Sequence, residues 1–143
     1  MRSLKYKIDL APLAWKRCMI DSRGGNPKFF DGQAKDKVIF GLTIVKQHGN
    51  ANRFSVPIHM DIVFYMPLPK TNKKYKADEP CVGKSDLDNL VKFLLDTLVD
   101  ADILSDDNIV WSITCKKVYS KLPRSEFTIT ETSPQDFPQA ILK

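Results

Sequence analysis

Alternating apolar and polar residues predict four β-strands in this chain. Residues 4–10 alternate and end before a proline, and residues 55–66 alternate over a length that favours a central position in a sheet. Residues 109–118 alternate again, and a shorter partner strand is marked at 127–129. We expect residues 119–124 to form the hairpin loop between these last two strands.

Two other stretches have the period of an α-helix. The first is predicted to start at a cap, Asp31, and to run to about Lys46, because Gly49 follows. The second, from about Leu87 to Val99, is better defined, since its apolar residues fall on one arc of the helix. The predicted core-facing residues are Ala34, Val38, Leu42 and Val45 in the first helix, and Leu87, Leu90, Val91, Leu94, Leu95 and Leu98 in the second.

The order of these elements is β-α-β-α-β-β, which predicts an α+β fold with a mixed β-sheet and two helices packed on it. A length of 143 residues allows a single core, so we expect one domain over residues 1–131. Residues 13–30 have no period and predict an irregular basic loop. Residues 132–143, which contain two prolines, predict a flexible C-terminal tail.

The cysteines and the apolar stretches indicate the cellular setting. Cys18, Cys81 and Cys115 are odd in number and lack the spacing of a disulfide framework or a zinc site, which favours a reducing compartment. The apolar stretches are all far shorter than the roughly 20 residues of a membrane span. We therefore expect a soluble, cytoplasmic protein.

The net charge of +5 is unevenly distributed along the chain. Residues 1–76 contain 15 Lys and Arg against 5 Asp and Glu, whereas residues 77–143 contain 7 against 12. Of the 12 acidic residues in the second part, seven lie between Asp86 and Asp107. Dispersed basic residues are typical of any solvated surface, but combined with a compact acidic cluster they favour an enzyme that binds a polyanion and holds a metal ion.

The acidic cluster has the donor type that Mg²⁺ prefers. Asp86 and Asp88 stand at the start of the second helix, and Asp106 and Asp107 follow it. Two to four carboxylates suffice for a hard cation that keeps several waters. The helix is about 20 Å long at 1.5 Å per residue, and the turn after it can lead the chain back along it, so convergence is feasible.

Each of these residues also has an ordinary structural explanation. An aspartate at a helix start stabilises the helix by capping and through the dipole, and a pair of aspartates before a strand is common in turns. Lys92, four residues after Asp88, can form a surface ion pair worth a few tenths of a kcal/mol. Alternatively it reaches a phosphate or the charge that develops near the metal.

The string Asp86-Leu87-Asp88-Asn89-Leu90, followed by Lys92, Asp96 and Asp106-Asp107, resembles the signature of the RusA family of Holliday-junction resolvases. The resemblance covers most of the chain and is most specific between Asp86 and Val110. It implies a homodimer that binds four-way DNA junctions and nicks opposed strands. It also implies that Asp86, Asp88 and Asp107 bind Mg²⁺, with Mn²⁺ as a substitute, and that Lys92 is needed for cleavage.

The hypothesis from the sequence is therefore a Mg²⁺-dependent crossover junction endodeoxyribonuclease of DNA recombination and repair. Two alternatives remain: a DNA-binding or architectural module without catalysis, and a metal-dependent nuclease specific for flaps or RNA. Histidine-based catalysis is not favoured by the positions of His48 and His59. The residues predicted to bind DNA phosphates are Lys16, Arg17, Arg23, Lys70, Lys73, Lys74 and Lys76.

Overall fold

A computed structural model of the chain describes residues 1–71, 74–83 and 85–138. Lys73, one of the predicted DNA-binding residues, lies outside them. No helix in this described part is long and apolar enough to cross a membrane. The elements are β1 (Ser3–Ile8), β2 (Met19–Asp21), β3 (Lys28–Phe30), α1 (Ala34–His48), β4 (Ile58–Pro67), α2 (Leu87–Asp100), β5 (Val110–Ser120) and β6 (Arg124–Glu131).

The main sheet is mixed, as predicted, with the strand order β1-β6-β4-β5. Strand β4 pairs with β5 in parallel and with β6 antiparallel, which confirms its central position. The predicted hairpin between β5 and β6 is wrong, because β4 lies between them. Strand β4, which has the most regular apolar alternation, has a neighbouring strand on each side. Residues 121–123 therefore pass the end of β4 to connect β5 to β6.

The core lies on one face of this sheet. Along β4 the inward residues are buried and alternate with half-buried or exposed ones, as expected for a strand with one covered face. The predicted arc of α2 is confirmed at its centre, where Leu90, Leu94 and Leu98 are buried, and it extends to Phe93 and Thr97. The inward residues of β4 are Ile58, Met60, Ile62, Phe64 and Met66.

The predicted core face of α1 is wrong. Val38, Leu42 and Val45 are exposed, and the helix instead buries Phe40 and Ile44. Apolar residues occur on both sides of this helix, so spacing alone does not identify the inner one. The packing of the helices identifies the inner side, because the ring of Phe40 contacts Phe93 of α2 edge-on, with ring centroids 5.3 Å apart.

The start of α1 also differs from its prediction. The N-cap residue is Gln33, not Asp31. The Asp31 carboxylate accepts a hydrogen bond from the backbone N–H of Gln33 at 2.9 Å and pairs with Lys37 at 2.8 Å. Asp31 thus stabilises the turn before the helix. The Lys37 side chain and the Gln33 backbone N–H hold the pKa of the Asp31 carboxyl below its usual value.

The predicted irregular loop at residues 13–30 contains a short hairpin formed by β2 and β3. Gly24 and Gly25, with φ of 85° and 88°, lie between its strands in a backbone conformation that glycine adopts without strain. The hairpin is mostly exposed, and the Phe29 side chain is 72% accessible. Strands of three residues have no periodicity to detect, which is why the sequence predicted only a loop.

The first residues after β6 pack against the sheet. Thr132 is buried, its backbone N–H donates to the carbonyl of Pro57, and its hydroxyl accepts a hydrogen bond from the Trp111 indole at 3.0 Å. Phe137 contacts the same indole edge-on. Residues 139–143 lie outside the described residues. The division of the chain at residue 132 into domain and flexible tail stays a prediction.

Candidate metal and nucleic-acid site

Helix α2 is the platform of the predicted site. Asp86 is its N-cap residue, and its main-chain carbonyl accepts hydrogen bonds from the backbone N–H groups of Asn89 and Leu90. Its carboxylate makes no capping bond within the described part of the chain. Asp86 and Asp88 are both exposed. The Asp86 carboxylate is therefore available to a ligand, and the capping explanation of this residue has no support in the geometry.

The residue before Asp86 has an unusual backbone. Ser85 has φ of 60°, in the left-handed region that favours glycine. The Lys117 ammonium, from β5, donates a hydrogen bond to the Ser85 carbonyl. The sharp turn at Ser85 directs the chain into α2, and the bond from Lys117 fixes this turn to the sheet.

The second acidic pair is positioned by buried residues that follow α2. Ile103 and Leu104 are buried, and the backbone of Phe54 bonds to Ile103 and Ser105 on either side. This anchored segment leads into Asp106 and Asp107. The Asp106 carboxylate accepts the backbone N–H of Asn108 at 3.0 Å and so caps the short 3₁₀ helix Asp107–Ile109.

Asp106 and Asp107 influence each other's protonation. The backbone N–H of Asn108 and a hydrogen bond with Asp107 lower the pKa of Asp106. The hydrogen bond with Asp106, partial burial and the charges of Asp106 and Asp96 raise the pKa of Asp107, whereas the charge of Lys92 opposes that rise. Asp107 thus lies within electrostatic reach of Asp96 and Lys92, which are neighbours one turn apart on α2.

The two acidic pairs do not converge in this structure. Among the described residues, no group of three or more His, Cys, Asp or Glu side chains is close enough to hold one metal ion. Lys92 lies about 6 Å along the axis from Asp88, and Asp96 about as far again. The exposed carboxylates fit a hard divalent cation in their chemistry, but Asp86 and Asp88 would have to approach Asp107 more closely to share it.

The Lys92 side chain contacts the loop that precedes the β2–β3 hairpin. Its ammonium lies over the ring of Trp15, 5.0 Å from the centroid. The backbone N–H of Trp15 donates to the carbonyl of Asn89, also on α2, at 2.8 Å. Trp15 is half-buried against the core, and its contact with Lys92 could not be predicted from the sequence.

Two clefts lie beside Ser85, two residues before the start of α2. Lys16, Arg17 and Ser85 line a cleft of about 350 Å³. Ser85 also lines a smaller cleft, of about 170 Å³, with Pro69 and Cys81 at the two ends of the lysine-rich loop. The predicted basic residues 16 and 17 are therefore close to the start of α2.

The lysine-rich loop after β4 is tied to the sheet near its end. The ring of Tyr75 stacks on Tyr119 of β5, with centroids 4.8 Å apart, and the backbone of Asp78 and Cys81 bonds to β5. The predicted DNA-binding side chains within the described part of this loop, Lys70, Lys74 and Lys76, are exposed.

Arg23, in the turn of the hairpin, forms an ion pair within the hairpin. It pairs with Asp21 of the same hairpin at 3.0 Å, so its charge is partly neutralised there. The hairpin itself, with its exposed Phe29, was not predicted as an element. Gly24-Gly25, with Met19-Ile20 before them and Phe29-Phe30 after them, are the signal in the sequence that could have marked it.

Comparison with known proteins identifies the family of this chain. The sequence model of the family Endodeoxyribonuclease RusA matches residues 23–130, which include both acidic pairs and Lys92. The chain is 32% identical over 143 residues to the uncharacterized protein YqaN of Bacillus subtilis (strain 168), covering 93% of this chain and 99% of that protein. It is 26% identical over 131 residues to the crossover junction endodeoxyribonuclease rusA of Lactococcus phage r1t, covering 89% of this chain and 95% of that protein. With a family match that contains β4, α2, β5 and the acidic residues around them, the chain belongs to the RusA family of endodeoxyribonucleases.

Proposed function

We propose that this protein is a Mg²⁺-dependent endodeoxyribonuclease that resolves Holliday junctions by paired nicks in opposed strands, in DNA recombination and repair. The observation that carries the proposal is the set of exposed residues at the start of α2: the Asp86 and Asp88 carboxylates, with Lys92 one turn after Asp88 and within electrostatic reach of Asp107. Lys16 and Arg17, which line a cleft together with Ser85, suit a phosphate backbone.

In this proposal Asp86, Asp88 and Asp107 hold the ion. Bound there, Mg²⁺, or Mn²⁺ in its place, would polarise the phosphoryl oxygen and lower the pKa of a bound water. Lys92 offsets the negative charge that grows on the phosphate during cleavage. Asp106 orients the turn that presents Asp107, through its bond to Asn108.

The basic residues serve binding. Lys16 and Arg17, on the cleft beside Ser85, contact the phosphates next to the cleaved bond. Lys70, Lys74 and Lys76 contact phosphates further along the same strand, and Lys73 is included in this set. Arg23 extends the surface along the hairpin, although its pairing with Asp21 weakens its contribution. These contacts recognise the path of the backbone and not the bases.

The test is the removal of single carboxylates. Asp86→Asn and Asp107→Asn should abolish Mg²⁺-dependent nicking of a synthetic four-way junction and leave junction binding measurable. The matched control is Asp102→Asn, the same chemical change at an exposed residue that pairs with Arg53 and has φ of 59°, which asparagine tolerates. Wild-type nicking by the first two variants would refute the assignment.

We also propose that two copies form a homodimer through the outer face of α1. Val38, Ile39, Leu42 and Val45 are exposed there and form an apolar stripe along a 15-residue helix. A two-fold axis over the stripe pairs it with itself, and such a dimer suits a junction with two opposed cleavage points.

Sedimentation equilibrium tests the dimer. Leu42→Glu should convert a dimer to a monomer, because it places a charge in the centre of the stripe. Leu122→Glu is the control, since Leu122 is also well exposed but lies in the loop between β5 and β6. A wild-type protein that is monomeric at all accessible concentrations would contradict the proposal.

A further inference from the structure

The structure places the Lys92 ammonium over the ring of Trp15. The distance of 5.0 Å from Nζ to the ring centroid is within the range of a cation–π contact, for which tryptophan is the best of the aromatic residues. Within the described residues Lys92 forms no ion pair, although Asp88 and Asp96 stand four residues away on either side. Among the described residues this ammonium thus lies over an indole and forms no ion pair with a carboxylate.

The position of the indole is itself fixed at the backbone. The N–H of Trp15 donates to the Asn89 carbonyl on α2 at 2.8 Å. On either side of Trp15, the buried Gln33 side chain donates to the Ala14 carbonyl at 2.8 Å and accepts from the Lys16 N–H at 3.0 Å. Three hydrogen bonds therefore hold three consecutive loop residues between the start of α1 and the first turn of α2.

This arrangement has a mechanical consequence. A lysine on an exposed helix face has four rotatable side-chain bonds and samples many positions. The Lys92 ammonium lies over the ring of Trp15, and the backbone of Trp15 is bonded to the same helix. This contact restricts the ammonium to the side of α2 that the basic loop covers. The loop that carries Lys16 and Arg17 is thereby coupled to the position of Lys92.

We propose that Trp15 is a positioning residue for cleavage: its indole holds the Lys92 ammonium in place for the phosphate, and its backbone bond couples the basic loop to α2. This inference rests on the proposed function of Lys92. Trp15 does not itself touch the reacting atoms. It acts through Lys92, so its loss should lower kcat and leave junction affinity nearly unchanged.

The first experiment compares Trp15→Phe with Trp15→Leu in single-turnover cleavage of a four-way junction. Trp15→Leu keeps an apolar side chain but removes the ring, and we expect its cleavage rate to fall about three- to tenfold, with binding within about twofold of wild type. Trp15→Phe should restore most of the rate. Trp111→Phe, at the second tryptophan of the chain, is the control and should cleave normally.

The second experiment keeps the shape of the side chain. In the Trp111→Phe background, fluorinated tryptophans replace Trp15 alone, and each added fluorine withdraws electron density from the ring face. The cleavage rate should fall stepwise with fluorination, whereas thermal stability should not. A merely structural role predicts no such graded fall, so a flat series would overturn the proposal even if Trp15→Leu failed to fold.

The third measurement does not depend on activity. In ¹H–¹³C NMR spectra the Lys92 side-chain methylene protons should be shifted upfield by the indole ring current and should return to ordinary positions in Trp15→Leu. Absence of this shift in the wild-type protein would refute the contact. If the wild-type protein nicks no junction, the proposed function fails and the positioning role with it. Normal cleavage by Trp15→Leu would overturn only the positioning role.

Discussion

Replacing Ile44 and Leu42 separately by alanine tests which face of α1 packs on the core. Ile44 is 0% exposed and Leu42 is 63% exposed, although the periodicity of the sequence predicts that Leu42 faces inward. Each substitution removes three carbons from a residue in the middle of the same helix. The pair therefore separates burial from helix propensity, which changes little in either case.

The structure fixes the size of the two effects. Removing three fully buried carbons costs about 2.4 kcal/mol at about 0.8 kcal/mol per carbon, and the cavity left behind raises the total for Ile44→Ala to about 3–4 kcal/mol. Only about a third of the Leu42 side chain is covered, so Leu42→Ala should cost less than about 1 kcal/mol.

Urea unfolding monitored by circular dichroism measures both values by linear extrapolation. The titration should be run at two protein concentrations, because a dimer through α1 would add a concentration-dependent cost to Leu42→Ala alone. A large cost for Leu42→Ala at low protein concentration, together with a small one for Ile44→Ala, would show that the helix packs through the face predicted from the sequence.

Three further predictions concern stability and DNA binding. Ser85→Gly should raise the free energy of unfolding by up to about 1 kcal/mol, because it removes the left-handed strain at φ of 60°, whereas a loss of stability in urea would contradict that. Asp31→Asn should cost at most about 1 kcal/mol at pH 7, since solvent screens this partly exposed pair with Lys37. The pKa of Asp31 is lowered in the folded state, so its stabilisation is present above the unfolded pKa and is lost as pH falls through the folded value. The wild-type protein and Asp31→Asn should therefore become equally stable in acid. A difference in their free energies of unfolding that stays constant with pH would exclude the ion pair as its source. Replacing Lys16 and Arg17 by glutamine should reduce the slope of log affinity for a junction against log salt by about 2, and an unchanged slope would remove them from the interface.

The sequence predicts α2 well because this helix is apolar on one side only. Leu90, Leu94 and Leu98 face the core as expected, with Asp88 and Lys92 exposed on the opposite arc. In such a helix the period determines the orientation, and the acidic residues at its start are exposed as a result. The exposure of the candidate residues of α2 could therefore be predicted from the sequence.

Other features depend on contacts that a linear pattern does not contain. Strand order is set by pairing between distant segments of the chain. In the sequence β5 and β6 are two alternating runs joined by a short loop, and this pattern does not reveal that β4 lies between them. The orientation of α1 depends on the fit of Phe40 against Phe93. The contact between Lys92 and Trp15 joins residues far apart in sequence, and the loop that carries Trp15 is bonded to both Gln33 and Asn89.

The most direct test of the proposed function is the cleavage of a labelled four-way junction beside a linear duplex, a flap and an RNA hairpin of matched sequence, each with Mg²⁺ and with EDTA. We expect nicks at symmetric positions in two opposed strands of the junction, only when Mg²⁺ is present, and little cleavage of the other substrates. Junction binding without cleavage in Mg²⁺ or Mn²⁺ would contradict catalysis and favour an architectural role. Equal cleavage of flap or RNA would contradict junction resolution.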